Sequence, residues 1–307
     1  MEKSSNLVSL FRALRPAQWV KNFSLFAAAI LNGQLTNPMT FIQSSLAFLS
    51  FCLLSSSSYL VNDVLDIDND RKHPVKKFRP IAHGDIPIST AVLTSVLLFF
   101  LGLGISLTIN PGFFLISVVF IFLQYSYSFL FKKKAVFDII GISLFFIIRA
   151  YAGEIATGYH LPVWIMLTVI FLSLFIASGK RRSELYTNGK VSRLALQGYG
   201  KSLLNFYTTM FAVCTLITYS MFTFFEEKLR FEGIINHFLL ENYPAALDRK
   251  WYMITIIPVI YGIMRYGQII FDMQAGERPE RVIATDIPLI FSVLTWGLMI
   301  ITIIYVL

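Results

Sequence analysis

The chain runs to 307 residues, 56% of them hydrophobic and only 14% charged, with a formal net charge of +8. A soluble chain carries about a quarter charged residues, so this composition excludes an ordinary soluble core and reads as a membrane protein. The positive balance does not point to a nucleic-acid partner, because the cations lie between apolar runs, where orientation in a bilayer accounts for them.

Met1–Ser9 is polar, and Arg12, Arg15 and Lys21 precede the first apolar stretch without a small-residue cleavage site, so no signal peptide is expected. A spanning helix takes roughly 20 apolar residues to cross about 30 Å of hydrocarbon. Nine such runs are predicted, at 20–37, 41–63, 89–109, 113–131, 136–156, 162–179, 203–225, 251–271 and 286–306. Pro111, Pro162 and Pro288 fall near predicted helix starts, where proline is tolerated. The Ser55–Ser58 run lies inside the second helix, where small residues favour close packing. The fold class expected is therefore an all-α polytopic membrane protein of about nine helices, in a single domain covering 1–307.

Lys and Arg cluster before the first run (Lys3, Arg12, Arg15, Lys21), after the second (Arg71, Lys72, Lys76, Lys77, Arg79) and after the fourth (Lys132, Lys133, Lys134). They cluster again after the sixth (Lys180, Arg181, Arg182, Lys190, Arg193, Lys201) and after the eighth (Arg278, Arg281). The connections near 38–40, 110–112 and 157–161 have none. The positive-inside rule then predicts a multi-pass plasma (inner) membrane protein with a cytosolic N-terminus and an external C-terminus. The 226–250 connection is the exception: it mixes Lys228, Arg230, Arg249 and Lys250 with acids and suggests a small external cap. Cys52 and Cys214 sit in apolar runs and read as packing residues, and the four histidines lack zinc spacing. Whether the chain forms a homo-oligomer is left open by the sequence.

The chemistry concentrates at Asn62-Asp63-Val-Leu-Asp66-Ile-Asp68-Asn-Asp70, which ends the second helix. At 100° per residue Asn62, Asp66 and Asp70 share a face with Asp63 adjacent, while Asp68 points away. Carboxylates so arranged at a membrane boundary need a compensating cation. Hard oxygen ligands suit Mg²⁺, which binds through one or two carboxylates plus substrate phosphates. Asn62, Asp63, Asp66 and Asp70 are therefore candidate metal ligands, and a solvated acidic helix end is the bland alternative. Lys76, Lys77 and Arg79 follow, and Arg15, Lys21 and Asn22 fall on the same predicted side. Carboxylate and metal ringed by cations describes a diphosphate pocket, although any single lysine here could equally contact a lipid headgroup.

Arg15-Pro-Ala-Gln-Trp19-Val-Lys21-Asn22 together with Asn62-Asp63-x-x-Asp66-x-x-x-Asp70 resembles the UbiA superfamily of intramembrane prenyltransferases. The resemblance implies nine helices around a cavity open to cytosol and bilayer, with two aspartate motifs holding Mg²⁺–diphosphate. Where the second motif is expected, this chain reads Ser178-Gly179-Lys180-Arg181-Arg182-Ser183-Glu184. Cations in place of carboxylates imply a further phosphate on the substrate. That departure is similar to the decaprenyl-phosphate phosphoribosyltransferase branch, as are His73-Pro-x-Lys76-Lys77-Phe-Arg79-Pro80, Ile148-Arg149-Ala-Tyr-Ala-Gly153, Gly179-Lys180-Arg181-x-x-Glu184 and Arg265-Tyr266 followed by Gly276-Glu277-x-Pro-Glu280.

The resemblance implies transfer of 5-phosphoribose from phosphoribosyl pyrophosphate to a polyprenyl phosphate, Mg²⁺-dependent and feeding cell-wall arabinose donors. Asp63, Asp66 and Asp70 would then be catalytic through the metal, and Lys76, Lys77, Arg79, Lys180, Arg181 and Glu184 would line the substrate site. Three residues keep two readings each. Arg149, whose charge within an apolar run costs at least ~2.5 kcal/mol, faces either a phosphate or Glu154. Tyr127 donates into the pocket or belongs to an interfacial belt with Tyr125. Arg265 reaches a phosphate or marks the cytosolic interface. The rival functions are an ordinary UbiA prenyltransferase with an aromatic acceptor, and a transporter. The first expects a second aspartate motif; the second expects charges along the middle of several helices.

Overall fold

The computed structural model describes residues 6–72, 76–189, 194–226, 241–243, 249–273, 276 and 279–307, and none of these lies in a strand. A short amphipathic helix α1 (Asn6–Ala13) leads into a 3-10 stretch (Pro16–Phe26) and α2 (Ala27–Leu31). The chain continues through α3 (Pro38–Leu65), α4 (Ile67–Lys72), α5 (Pro80–His83), α6 (Ile88–Ile109), α7 (Pro111–Phe129) and α8 (Phe137–Thr157). It ends through α9 (Val163–Asn188), α10 (Leu194–Gln197), α11 (Lys201–Phe225), α12 (Ile256–Phe271), α13 (Pro279–Thr285) and α14 (Ile287–Tyr305). Among the described residues eight helices are long and apolar enough to cross a membrane. They begin at Pro38, Ile88, Pro111, Phe137, Val163, Lys201, Trp251 and Ile287, matching the second to ninth predicted runs.

The first predicted run, 20–37, is corrected. No continuous helix forms there; the 3-10 stretch gives way to the five-residue α2. Two local causes are visible. The Ser24 hydroxyl returns to the Lys21 carbonyl at 3.0 Å, the back-bonding by which serine competes with the α ladder. The segment also lies hard against α8 at Gly153, where a Cβ would stand 2.4 Å from the Leu25 carbonyl oxygen. The 3-10 rise of ~2.0 Å per residue partly compensates for the short length.

Asparagines and an aspartate start three of the spans. Asn37 accepts from the Met39 and Thr40 N–H groups before Pro38, Asn110 from Phe113 N–H, and Asp286 from Leu289 N–H. Asn110 also donates to the Ile155 carbonyl at 2.9 Å, joining the start of α7 to the end of α8. The serine-rich face of α3 meets α6 closely: Ser57 Oγ lies 3.0 Å from Ser95 Oγ, and Ser50 donates to the Gly102 carbonyl at 2.8 Å. Such small-residue contacts replace the hydrophobic drive that lipid does not supply. Leu93, Phe100 and Phe122 point outward, the surface expected for contact with acyl chains.

Residues 227–240 and 244–248 lie outside the described residues, and with them most of the expected 226–250 cap; so do Lys3, His73, Lys190, Arg193, Glu277 and Arg278.

Candidate active site

The end of α3 and all of α4 form one wall. α3 stops at Asp66, yet Asp66 N–H still bonds to the Asn62 carbonyl at 2.9 Å and Asp70 N–H to the Asp66 carbonyl at 2.8 Å. Helical spacing therefore persists across the break, and Asn62, Asp66 and Asp70 line the same cavity while Asp68 is exposed. That cavity has a volume of about 580 Å³.

Asp63 sits behind this wall. It is buried, and its Oδ1 takes Arg15 Nη2 at 2.5 Å and Arg79 Nη1 at 3.0 Å. The same Arg79 Nη1 reaches Asp70 Oδ2 at 2.6 Å. Asp63 thus fixes the two guanidiniums that border the cavity, without bordering it itself. Arg15 adopts a left-handed backbone (φ 56°, ψ 59°) just before Pro16, and its guanidinium lies 5.0 Å from the centre of the Tyr59 ring. A non-glycine residue held there marks a place where surrounding contacts over-determine the backbone.

Lys21 and Lys76 also line the cavity, and Lys21 Nζ donates to Gln18 Oε1 at 2.5 Å. Lys77 does not border it; the side chain is exposed over the Phe78 ring. α9 and α7 add Lys180, Arg181 and Tyr127 to the lining. Arg181 is fully buried between Asp138, 2.5 Å away, and Glu184, and it donates to the Tyr127 hydroxyl at 3.1 Å. Tyr127 fits because residue 141 is glycine: a Cβ there would stand 2.6 Å from the ring. The phenol of Tyr199 donates to Asp138 at 2.6 Å and accepts from the Val136 N–H at 2.6 Å. Burial first, and then the adjacent carboxylate, push this phenol well above the ordinary tyrosine range. Arg182 turns the other way, stacked between the Tyr186 and Phe271 rings and donating to the Ile270 carbonyl.

Arg149 lines the cavity from the middle of α8. Its Nε donates to Asn22 Oδ1 and its Nη1 to the Phe145 carbonyl, both at 2.7 Å, with the Phe120 ring beneath. The alternative pairing with Glu154 does not form; that carboxylate holds His160 and the Leu161 N–H. Asn22 is buried and acts through Arg149 rather than on the cavity. Arg265 is elsewhere, paired through two nitrogens with Asp286 at 3.1 and 2.7 Å.

Several cavity residues carried a different reading in the sequence. Lys132 and Lys133 read only as topology signals, yet Lys132 Nζ lies 3.2 Å from both Asp66 oxygens. Gln124 had no signal beyond its helix, and Tyr59 entered only through the family resemblance of Tyr59-Leu-Val-Asn62-Asp63. Asp138, the acid beneath Arg181, was hidden at the start of an apolar run.

Among the described residues no three acidic, His or Cys side chains converge on one point. Asp66, Asp70 and Asn62 nevertheless line one cavity beside five or more cations. This fits a hard cation held by one or two carboxylates with the rest of its shell from phosphate and water.

The sequence profile of the UbiA prenyltransferase family matches residues 23–231. The chain is 35% identical over 304 residues to the decaprenyl-phosphate phosphoribosyltransferase of Corynebacterium glutamicum, covering 97% of this chain and 87% of that protein. It is 37% identical over 300 residues to the decaprenyl-phosphate phosphoribosyltransferase of Mycolicibacterium smegmatis, covering 95% and 91%. A UbiA homolog from Archaeoglobus fulgidus, bound to GPP and Mg²⁺, superposes with a TM-score of 0.68 at 22% identity, over 96% of this chain and 99% of that one. On profile, full-length similarity and fold together, the chain belongs to the UbiA prenyltransferase family, as a multi-pass membrane transferase.

Proposed function

We propose that this protein transfers 5-phosphoribose from phosphoribosyl pyrophosphate to a polyprenyl phosphate of the decaprenyl class, releasing pyrophosphate. The observation that carries the proposal is that one cavity joins Asp66 and Asp70, from the end of α3 and α4, to Lys180 and Arg181 of α9. The two full-length relatives named above support the same reading.

Asp66, Asp70 and Asn62 are the residues that would hold Mg²⁺. Bound there, the ion would neutralise charge on the departing diphosphate. Arg15, Lys21, Lys76, Arg79 and Lys132 border the same end and bind its remaining oxygens. Lys180 and Arg181 take the 5-phosphate, and Tyr127 adds a hydroxyl beside Arg181. An oxygen of the acceptor phosphate forms a bond to ribose C1 as the C1–O bond to pyrophosphate breaks. The acceptor oxygen is already anionic, so no general base is needed, and the developing positive charge on the sugar ring lies between two sets of phosphate oxygens. The cation clusters support a cytosolic mouth in the plasma membrane, reached by a soluble donor, with the prenyl chain in the bilayer.

Purified enzyme given Mg²⁺, polyprenyl phosphate and ribose-labelled donor is expected to move label into the lipid phase, and chelation is expected to stop it. Label reaching product only from a prenyl diphosphate would overturn the reading.

A further inference from the structure

We propose that Arg149 is the anchor for the phosphate of the membrane-borne acceptor, forming a subsite separate from the one that binds the soluble donor. The inference rests on the phosphoribosyl transfer proposed above and assigns one of its two substrates to one residue.

Depth is the first argument. α8 begins at Phe137, just after the Lys132–Lys134 cluster that marks the cavity mouth. Arg149 lies about twelve residues further on, roughly 18 Å along the axis at 1.5 Å per residue. Arg181, by contrast, is about six residues from Thr187 at the near end of its span, roughly 9 Å. Arg149 thus lies deeper along its helix than Arg181 does along its own, and Phe145 and Phe146 line the cavity with it.

Charge is the second. The guanidinium is buried, its described hydrogen-bond partners are the neutral Asn22 and Phe145 groups, and a phenyl ring lies below it. Asn22 is itself held, donating to Cys52 Sγ at 3.2 Å, so the guanidinium is aimed rather than free to swing. A cation fixed at membrane depth among neutral groups is favourable only when an anion completes it.

Geometry of displacement is the third. The departing pyrophosphate belongs with Asp66 and Asp70 at the mouth, and the attacking oxygen must approach C1 from the opposite side. Asp66 lies 3.2 Å from Lys132, just before α8 begins, and Arg149 is about twelve residues further along that helix, on the inner side of the acids.

The test compares Michaelis constants for the two substrates in Arg149→Gln. KM for polyprenyl phosphate is expected to rise about 10- to 100-fold, the scale of losing hydrogen bonds to a charged group, with KM for phosphoribosyl pyrophosphate held within about twofold. Equilibrium binding of labelled phosphoribosyl pyrophosphate to the same variant should match wild type, which also certifies its fold. A raised KM for the donor would assign Arg149 to the ribose 5-phosphate and overturn the proposal. So would a loss confined to kcat, or an equal rise in both constants. Should Arg149→Gln not accumulate, Arg149→Lys keeps the charge and carries the same comparison. If wild-type enzyme transferred no phosphoribose at all, the functional reading would fail first; a donor-side effect in an active enzyme fails only this inference.

Discussion

Asp138 and Arg181 meet at 2.5 Å with neither side chain exposed to solvent, and Tyr199 closes the pair from behind by donating to the same carboxylate. The acid comes from the first turn of α8 and the base from α9, so one contact positions a cavity cation and locks two spans together. Breaking one side of a buried pair leaves the other charge uncompensated, at a cost of about 3–5 kcal/mol. Asp138→Asn should approach the lower end, since Glu184 still holds Arg181. Thermal unfolding in detergent measures the loss, and KM for the donor should rise with it. Tyr199→Phe removes one donor and one acceptor and should cost about 1–3 kcal/mol by the same assay.

Asp66→Asn should lower transfer by more than about 100-fold, while the protein still inserts and unfolds near the wild-type temperature. The side chain faces the cavity, so removing its charge weakens metal binding without stranding a buried group. Activity close to wild type at saturating Mg²⁺ would contradict the metal assignment. Asp63→Asn should behave differently. It strips the shared partner from Arg15 and Arg79 and should destabilise the fold as well as the chemistry.

Gly153→Ala should reduce the yield of folded protein. The new methyl would strike backbone, the Leu25 carbonyl at 2.4 Å, and backbone cannot rotate aside as a side chain does. Overpacking of this kind costs about 1–3 kcal/mol. Because the 3-10 stretch carries Asn22, the separation should also loosen Arg149, read as a rise in KM for the lipid.

Arg265→Gln should leave both Michaelis constants unchanged, because Arg265 lies outside the cavity. Its hydrogen bonds hold the Asp286 carboxyl below the ordinary carboxylate range, with the Leu289 N–H assisting. A depressed folded pKa stabilises above the unfolded pKa, about 3.9 for Asp, and that stabilisation fades as pH falls through the folded value. The melting-temperature gap between wild type and variant should therefore be full at neutral pH and shrink below about pH 4.

The spans were legible wherever length and apolarity sufficed, and eight of the nine runs became crossing helices. The first run was not, because its conformation depends on Gly153, more than a hundred residues away, and on the Ser24 back-bond. The face carrying Asn62, Asp66 and Asp70 followed from the 3.6-residue period, which survives the break at Asp66. Asp63 illustrates the limit. Its spacing makes it adjacent to that face, but only the approach of Arg15 and Arg79 draws its carboxylate away from the cavity. Likewise no local pattern shows that Lys180 and Arg181 border the cavity while Arg182 packs between two rings, since helix neighbours on different faces meet different partners.

One nitrogen of Arg79 serves two carboxylates, and Lys132 covers a third. Those three carboxylates are therefore already matched by cations, while further basic side chains, Lys133 and Arg149 among them, line the same cavity. An anion that draws Arg79 or Lys132 to itself leaves a carboxylate short of its cation. In the proposed reaction, a diphosphate arriving with a divalent metal would bring an anion for those cations and a cation for those carboxylates.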